Sequence, residues 1–176
     1  MAMDTVKQTV EYARSIEKQH NKHFRFTITT NGVGLNDENI DYINREMGNC
    51  VLSLDGRPEV NDKNRITPSG GGSYDIILPK FKKLLQSRGK DKDYYVRGTF
   101  TRDNLDFAED VLHIADQGFD SISVEPVVSE PGTSYSLREE DLPRIFAEYE
   151  RLAEQMLKRR DFNFFHFNVD LSQGPC

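Results

Sequence analysis

The stretch Cys50-Val51-Leu52-Ser53-Leu54-Asp55-Gly56 alternates apolar and polar side chains and then breaks at a glycine. Successive side chains of a β-strand point to opposite faces, so this alternation describes a strand with one covered side. Cys50, Leu52 and Leu54 share one face, while Val51, Ser53 and Asp55 share the other. Residues 24–32, 94–101 and 121–128 follow the same plan. In the first, Phe24, Phe26 and Ile28 oppose Arg25, Thr27, Thr29 and Asn31. In the second, Tyr94, Val96 and Phe100 oppose Tyr95, Arg97, Thr99 and Thr101; in the third, Ile122 and Val124 oppose Ser121, Ser123 and Glu125.

The segments between these strands have helical spacing. Residues 4–20 place Val6, Val10, Ala13 and Ile16 on one side, with Asp4 as the expected N-cap. Residues 36–47 align Ile40, Ile43 and Met47, and Gly48 is the expected C-cap. Residues 73–88 carry a stripe that includes Tyr74, Ile77, Phe81 and Leu84, with Pro79 expected to kink it. Residues 104–117 carry Leu105, Ala108, Leu112 and Ala115 and close at Gly118. Residues 139–160 turn Leu142, Ile145, Phe146, Tyr149, Leu152, Ala153 and Met156 inward, and residues 162–171 read as a fifth strand. Residues 57–72 are rich in turn formers and read as one long functional loop. The order is α, then βα four times, then β, which calls for parallel strands joined by crossover helices.

Parallel sheets usually bury both faces, and a TIM barrel fills its interior with branched aliphatic side chains. Here one face offers Thr, Ser, Asp, Arg and Glu, and buried polar groups need partners. A curved sheet around a wet cavity with a polar ligand satisfies them; a sheet with one solvated face is the plainer alternative. Ligands of parallel α/β architectures sit at the carboxyl ends of strands, which nominates Asn31, Ser53, Asp55, Arg97, Thr99 and Glu125. Arg97 carries most weight, because a guanidinium in a strand calls for an anion. That anion is either a ligand or, in a structural ion pair, Asp55 or Glu125. Asn31-Gly32 and Asp55-Gly56 are also ordinary turn dipeptides, and Glu125 before Pro126 also suits a helix cap. The histidines at 20, 23, 113 and 166 show no metal-ligand spacing, and Gly70-Gly71-Gly72 lacks the Lys and Ser/Thr of a phosphate loop.

The length of 176 residues suits one domain, and 36% hydrophobic with 30% charged residues suits a globular one. A net charge of −6 argues against a nucleic-acid partner. No segment has the apolar length of a membrane span, and the first twenty residues are amphipathic and charged, unlike a signal peptide. A cytoplasmic protein with no membrane partner is therefore expected. Cys50 and Cys176 are too few for a disulfide framework, and Cys50 reads as a small core residue.

Thr30-Asn31-Gly32, Ser53-Leu54-Asp55-Gly56, Arg65, Gly72-Ser73-Tyr74-Asp75, Arg97-Gly98-Thr99-Phe100-Thr101 and Val124-Glu125-Pro126-Val127 occur in that order. Together they resemble radical S-adenosylmethionine (SAM) enzymes of the SPASM class. Within that class the chain is most similar to the maturases that install thioether cross-links in Cys-rich SCIFF peptides. The resemblance runs over essentially the whole chain. It implies a partial (β/α) barrel, the middle portion of a radical SAM (β/α)6 TIM-like barrel with parallel strands. Residues 1–171 would run from helix 2 through strand 6 and a following strand, and residues 172–176 would begin a SPASM extension.

The resemblance also implies SAM and [4Fe-4S] clusters as the parent's cofactors and a Cys-rich precursor peptide as its partner. Reductive cleavage of SAM would yield a 5′-deoxyadenosyl radical that abstracts a substrate hydrogen. Ser53 would lie by the SAM ribose, with Asn31 and Asp55 shaping the site beside it. Arg97 would meet the SAM carboxylate, Thr99 would share that face, and Glu125 would line the adenine or substrate side. Cys176, in Gln173-Gly174-Pro175-Cys176, would be an auxiliary-cluster ligand of the parent. The family's Cys-x3-Cys-x2-Cys and Gly-Gly-Glu-Pro motifs are absent from this sequence. One thiolate does not hold a [4Fe-4S] cluster, which takes about four ligands. The expectation is an internal segment of such a maturase that stably binds no cofactor, and is inactive, as an isolated chain. Two other readings stand beside it: a cluster-free SAM- or peptide-binding module, and a TIM-type metabolic enzyme segment with an acid or phosphate on Arg97. Open barrel edges imply self-association.

Overall fold

Strand–helix alternation is realised along the chain in a computed structural model that describes residues 2–130 and 132–168. The elements are α1 (Met3–His20), β1 (Phe26–Thr30), α2 (Asp37–Glu46), β2 (Met47–Ser53), α3 (Pro58–Asn64), α4 (Tyr74–Gln86), β3 (Asp93–Phe100), α5 (Phe107–Asp116), β4 (Ser121–Pro126), α6 (Leu142–Lys158) and β5 (Asn163–Phe164). The strands form one sheet in the order β1-β2-β3-β4-β5. The β1/β2, β3/β4 and β4/β5 pairs run parallel, as crossover helices require. Among the described residues no helix is long and apolar enough to cross a membrane.

The chain divides into two compact units. The first comprises Met1–Ser53 with Arg65–Tyr95, and the second comprises Leu54–Asn64 with the chain from Val96 onward. In the first unit, alternate residues of β1 and β2 point into the core: Ile28, Cys50 and Leu52 are buried, while Thr27 and Thr29 are exposed. Ile40 and Ile43 of α2 and Tyr74, Ile77, Phe81 and Leu84 of α4 fill the same core. Gly32 follows β1 with φ +77°, and a Cβ there would sit 2.6 Å from the Phe81 ring. Glycine is the residue that meets both demands.

The second unit is built on aromatic packing. Phe100 of β3 stacks on Phe107 of α5 with centroids 4.3 Å apart, and Phe107 meets Tyr149 of α6 edge-on at 4.9 Å. Val96, Ile122, Val124, Leu152 and Phe164 complete this core. Asn104 and Thr101 cap a short 3-10 turn, Arg102–Asn104, that leads out of β3.

Several local expectations are corrected. Asp4 lies within the first turn of α1, whose N-cap is Ala2. Gly48 is not a cap: α2 ends at Glu46, Met47 already belongs to β2, and Gly48 lies against the Arg25 side chain. The stretch 57–72 is not one open loop. It contains α3, which begins at a proline, the residue best suited to a first helical position. It also contains an Ile66–Gly72 antiparallel bridge, tightened by a Thr67 N–H···O Gly71 bond of 2.8 Å. The helix expected over 104–117 begins only at Phe107, and that expected over 139–160 begins as a 3-10 turn at Glu139. Leu142 and Phe146, expected inside, are exposed, Phe146 by 60%. The fifth strand has two residues before a 3-10 turn at Phe165–Phe167, and residues 169–176, including Cys176, lie outside the described ones.

Replacing Gly32 with alanine forces a Cβ onto the Phe81 ring and holds a non-glycine residue at positive φ. The expected cost is about 1–3 kcal/mol, read as a lower urea midpoint at unchanged slope.

Candidate functional site

The polar face of the second unit begins with Asp55, which leaves β2 on the turn Leu54–Arg57. Its Oδ1 accepts the Thr99 backbone N–H at 3.0 Å, and the Asp55 N–H reaches the buried Asn61 Oδ1 at 3.4 Å. The Leu54 N–H donates to the Arg97 carbonyl at 3.0 Å. Asp55 is 4% exposed, so this carboxylate is structural as well as polar.

Arg97 and Thr99 lie two residues apart on β3 and therefore on one face. The β3/β4 register sets Arg97 beside Ser123 and Thr99 beside Glu125. The Arg97 guanidinium pairs with the Glu125 carboxylate, and Ser123 Oγ donates to that carboxylate at 3.2 Å. Arg97 is not buried: its side chain is 54% exposed and that of Glu125 is 33% exposed. The anion on Arg97 is thus an internal carboxylate, one of the two alternatives the sequence left open, on a guanidinium that solvent still reaches. Tyr149 and His166 add a phenol and an imidazole near Glu125.

These neighbours set the Glu125 charge. Burial pushes its carboxyl up, but the hydrogen bond and charge of Arg97, with Ser123 and His166, outweigh burial and hold it below the ordinary glutamate value. Burial raises the Tyr149 phenol, and Glu125 raises it further.

Asn31 and Ser53 belong to the first unit. Thr30 stands opposite Leu52, so Asn31 and Ser53 are the next residues at two adjoining strand ends. Asn31 Oδ1 accepts the Val33 N–H at 3.3 Å, which makes it a turn former as well as a candidate. With Val33, Gly34, Ile66 and Thr67 it lines a surface concavity of about 680 Å³. Ser53 is half-buried.

Sequence reasoning missed Asn61, which accepts the Asp55 N–H, and the buried Arg57–Asp110–Asn104 network beside that turn. The one local signal was Asp110 in the first turn of α5, where acids are common for helix-dipole reasons alone.

The described residues do not fit an iron–sulfur cluster. Cys50 is fully buried, and burial pushes its thiol up to about 11, so it is a neutral core group where a thiolate ligand is required. Among the described residues no group of three or more His, Cys, Asp or Glu side chains is placed to hold a metal ion. The solvent-reachable Arg97 guanidinium, flanked by Thr99 and Ser123, does fit a ligand carboxylate.

No family model and no curated protein matches the sequence. Solved structures do match. Native anSMEcpe with bound AdoMet superimposes with a TM-score of 0.79 at 14% identity, over 94% of this chain and 46% of that one. SuiB of Streptococcus suis bound to S-adenosylmethionine gives 0.53 at 18% identity, over 78% of this chain and 32% of that one. A domain of pyruvate-formate lyase-activating enzyme from Bacteroides vulgatus gives 0.53 at 12% identity, over 84% of this chain and 86% of that one. The chain therefore has the fold of part of a radical SAM (β/α) barrel, and it spans about half the length of anSMEcpe.

The depressed Glu125 carboxyl gives a pH dependence. The Arg97–Glu125 attraction is present above the unfolded glutamate value of about 4.3 and is lost as pH falls through the lower folded value. In an NMR titration, Glu125 is expected below the ordinary glutamate value, and Arg97→Ala is expected to move it upward.

Proposed function

We propose that this chain is the SAM-facing segment of a radical SAM peptide maturase that forms thioether cross-links in a Cys-rich peptide. The observation that carries this reading is the likeness to anSMEcpe with bound AdoMet over 94% of the chain. Another anSMEcpe structure, with AdoMet and the Kp18Cys peptide, matches with a TM-score of 0.79 at 14% identity and supports a cysteine-containing peptide as the partner class.

In this reading Arg97 holds the SAM carboxylate. A guanidinium has five N–H donors, and Glu125 engages Nη2, so a second carboxylate can share the same group. Asp55 fixes the Thr99 backbone, and with it the strand from which Arg97 projects. Ser53 and Asn31 serve the ribose side, and Glu125 the adenine or substrate side. Bound SAM supplies the adenosyl and methionyl groups that these residues recognise. In this reading the cluster-dependent cleavage is the task of the parent enzyme and not of this chain's own residues. A cluster-free module that binds SAM or the peptide without chemistry is the second reading, and the neutral, buried Cys50 thiol favours it.

Calorimetry with SAM tests the binding reading. A chain that acts as a cluster-free module is expected to bind SAM saturably, and at least about tenfold more weakly in Arg97→Ala, the loss of one charge-assisted carboxylate contact. An isolated maturase segment is expected to hold no SAM stably. Binding that Arg97→Ala leaves unchanged would remove Arg97 from the site, and no binding by the intact chain would remove the module reading and leave the segment one.

Anaerobic treatment with iron and sulfide should leave the purified chain colourless and unable to make 5′-deoxyadenosine after reduction. A stable brown cluster with that product would show that the chain is a self-sufficient enzyme.

A further inference from the structure

Asp110 lies outside the polar face, yet it ties together the two backbone segments that carry it. It sits in the first turn of α5 with its side chain wholly buried. Its Oδ1 accepts the Arg57 backbone N–H at 3.1 Å and Arg57 Nε at 2.8 Å. Its Oδ2 accepts Asn104 Nδ2 at 3.1 Å. Asn104 Oδ1 in turn accepts the Thr101 backbone N–H at 2.8 Å. One carboxylate thus grips the turn that leaves β2 and, through one amide, Thr101, the residue that follows β3.

Asp55 lies between these anchors. It is two residues before Arg57, and it accepts from Thr99, two residues before Thr101. The intervening Gly56 has φ +141° and packs directly on Asp110, leaving no room for a Cβ. A glycine held by nothing would visit many conformations, and each would swing the Asp55 carboxylate away from Thr99.

We propose that Asp110 is the positioning residue of the Asp55–Thr99 corner: it locks the Gly56–Arg57 turn and the end of β3 at the separation that the Asp55···Thr99 bond requires. Its effect on ligand affinity rests on the SAM reading above; its effect on the corner does not.

Hydrogen exchange of the full chain, followed by NMR, separates this role from general stabilisation. In Asp110→Asn one of the two oxygens becomes an NH2 that accepts nothing, so one arm of the lock is lost whichever way the amide turns. The Thr99 amide is expected to exchange at least about tenfold faster, while Val96 in the same strand and Ile122 in the neighbouring β4 keep their protection. SAM affinity is expected to fall about tenfold alongside it, and Asp55→Ala, which leaves no acceptor for the Thr99 N–H, should reproduce both effects. Arg97→Ala should weaken SAM without changing Thr99 exchange. A uniform acceleration of all three amides, or no change at Thr99, overturns the positioning role. If SAM fails to bind the unaltered chain while Thr99 responds to Asp110→Asn, the ligand reading falls and the positioning role stands. If SAM binds both forms alike and Thr99 is unmoved, the reverse holds. Should Asp110→Asn not fold, Asn104→Ala cuts only the β3 arm and is judged by the same Thr99 comparison.

Discussion

The polar corner of the second unit depends on a carboxylate that solvent does not reach. Removing a carboxylate from water costs several kcal/mol unless its oxygens are engaged. Asp110 meets that demand with Arg57, the Arg57 backbone and Asn104. Burial pushes its carboxyl up, and the Arg57 and Asn104 donors pull against burial. Arg57 is anchored a second time by Asp106 at 3.0 Å, so the guanidinium spans two carboxylates of one helical stretch. The result is a stiff Gly56–Arg57 turn fixed by charge and hydrogen bonding, where packing alone would leave a glycine free.

The two faces of the strands divide the work. On one face the apolar set packs under α5 and α6, with Phe100, Phe107 and Tyr149 in a continuous aromatic contact. On the other, Arg97 and Glu125 neutralise each other while both remain reachable by water. Half-exposed pairs of this kind contribute at most about 1 kcal/mol to stability, so the pair is cheap to rearrange. A structural clamp would be buried and expensive to break. If Arg97 meets a ligand carboxylate as proposed above, the pair can yield to it at little cost.

Much of the fold was legible because period-two alternation survives any detail of tertiary structure. Cys50, Leu52, Val96, Ile122 and Val124 all point into the core as their spacing requires. The candidate face was legible for the same reason, and Asp55, Arg97, Thr99 and Glu125 do share one unit and two direct contacts. Exposure was not legible: alternation says which residues share a side, but not what covers that side, so Arg97 and Phe146 proved more open than expected. α3 was hidden by its composition, since Asn61, Asp62 and Asn64 read as turn formers until Asn61 is seen buried against Asp55. Asp110 was hidden by distance. Its partner Arg57 is 53 residues away in sequence, and no local pattern announces such a pairing.

The direct passage from α2 into β2 has a consequence for how this chain can change. Glu46 ends the helix and Met47 begins the strand, with no linker between them. A residue inserted into α2 would rotate everything after it by about 100° about the helix axis. The same residue would also exchange the two faces of β2, moving Cys50 and Leu52 to where Val51 and Ser53 now stand. Between β1 and α2, by contrast, a loop stands ready to absorb an added or lost residue. Across this seam the number of residues is fixed more strictly than their identity.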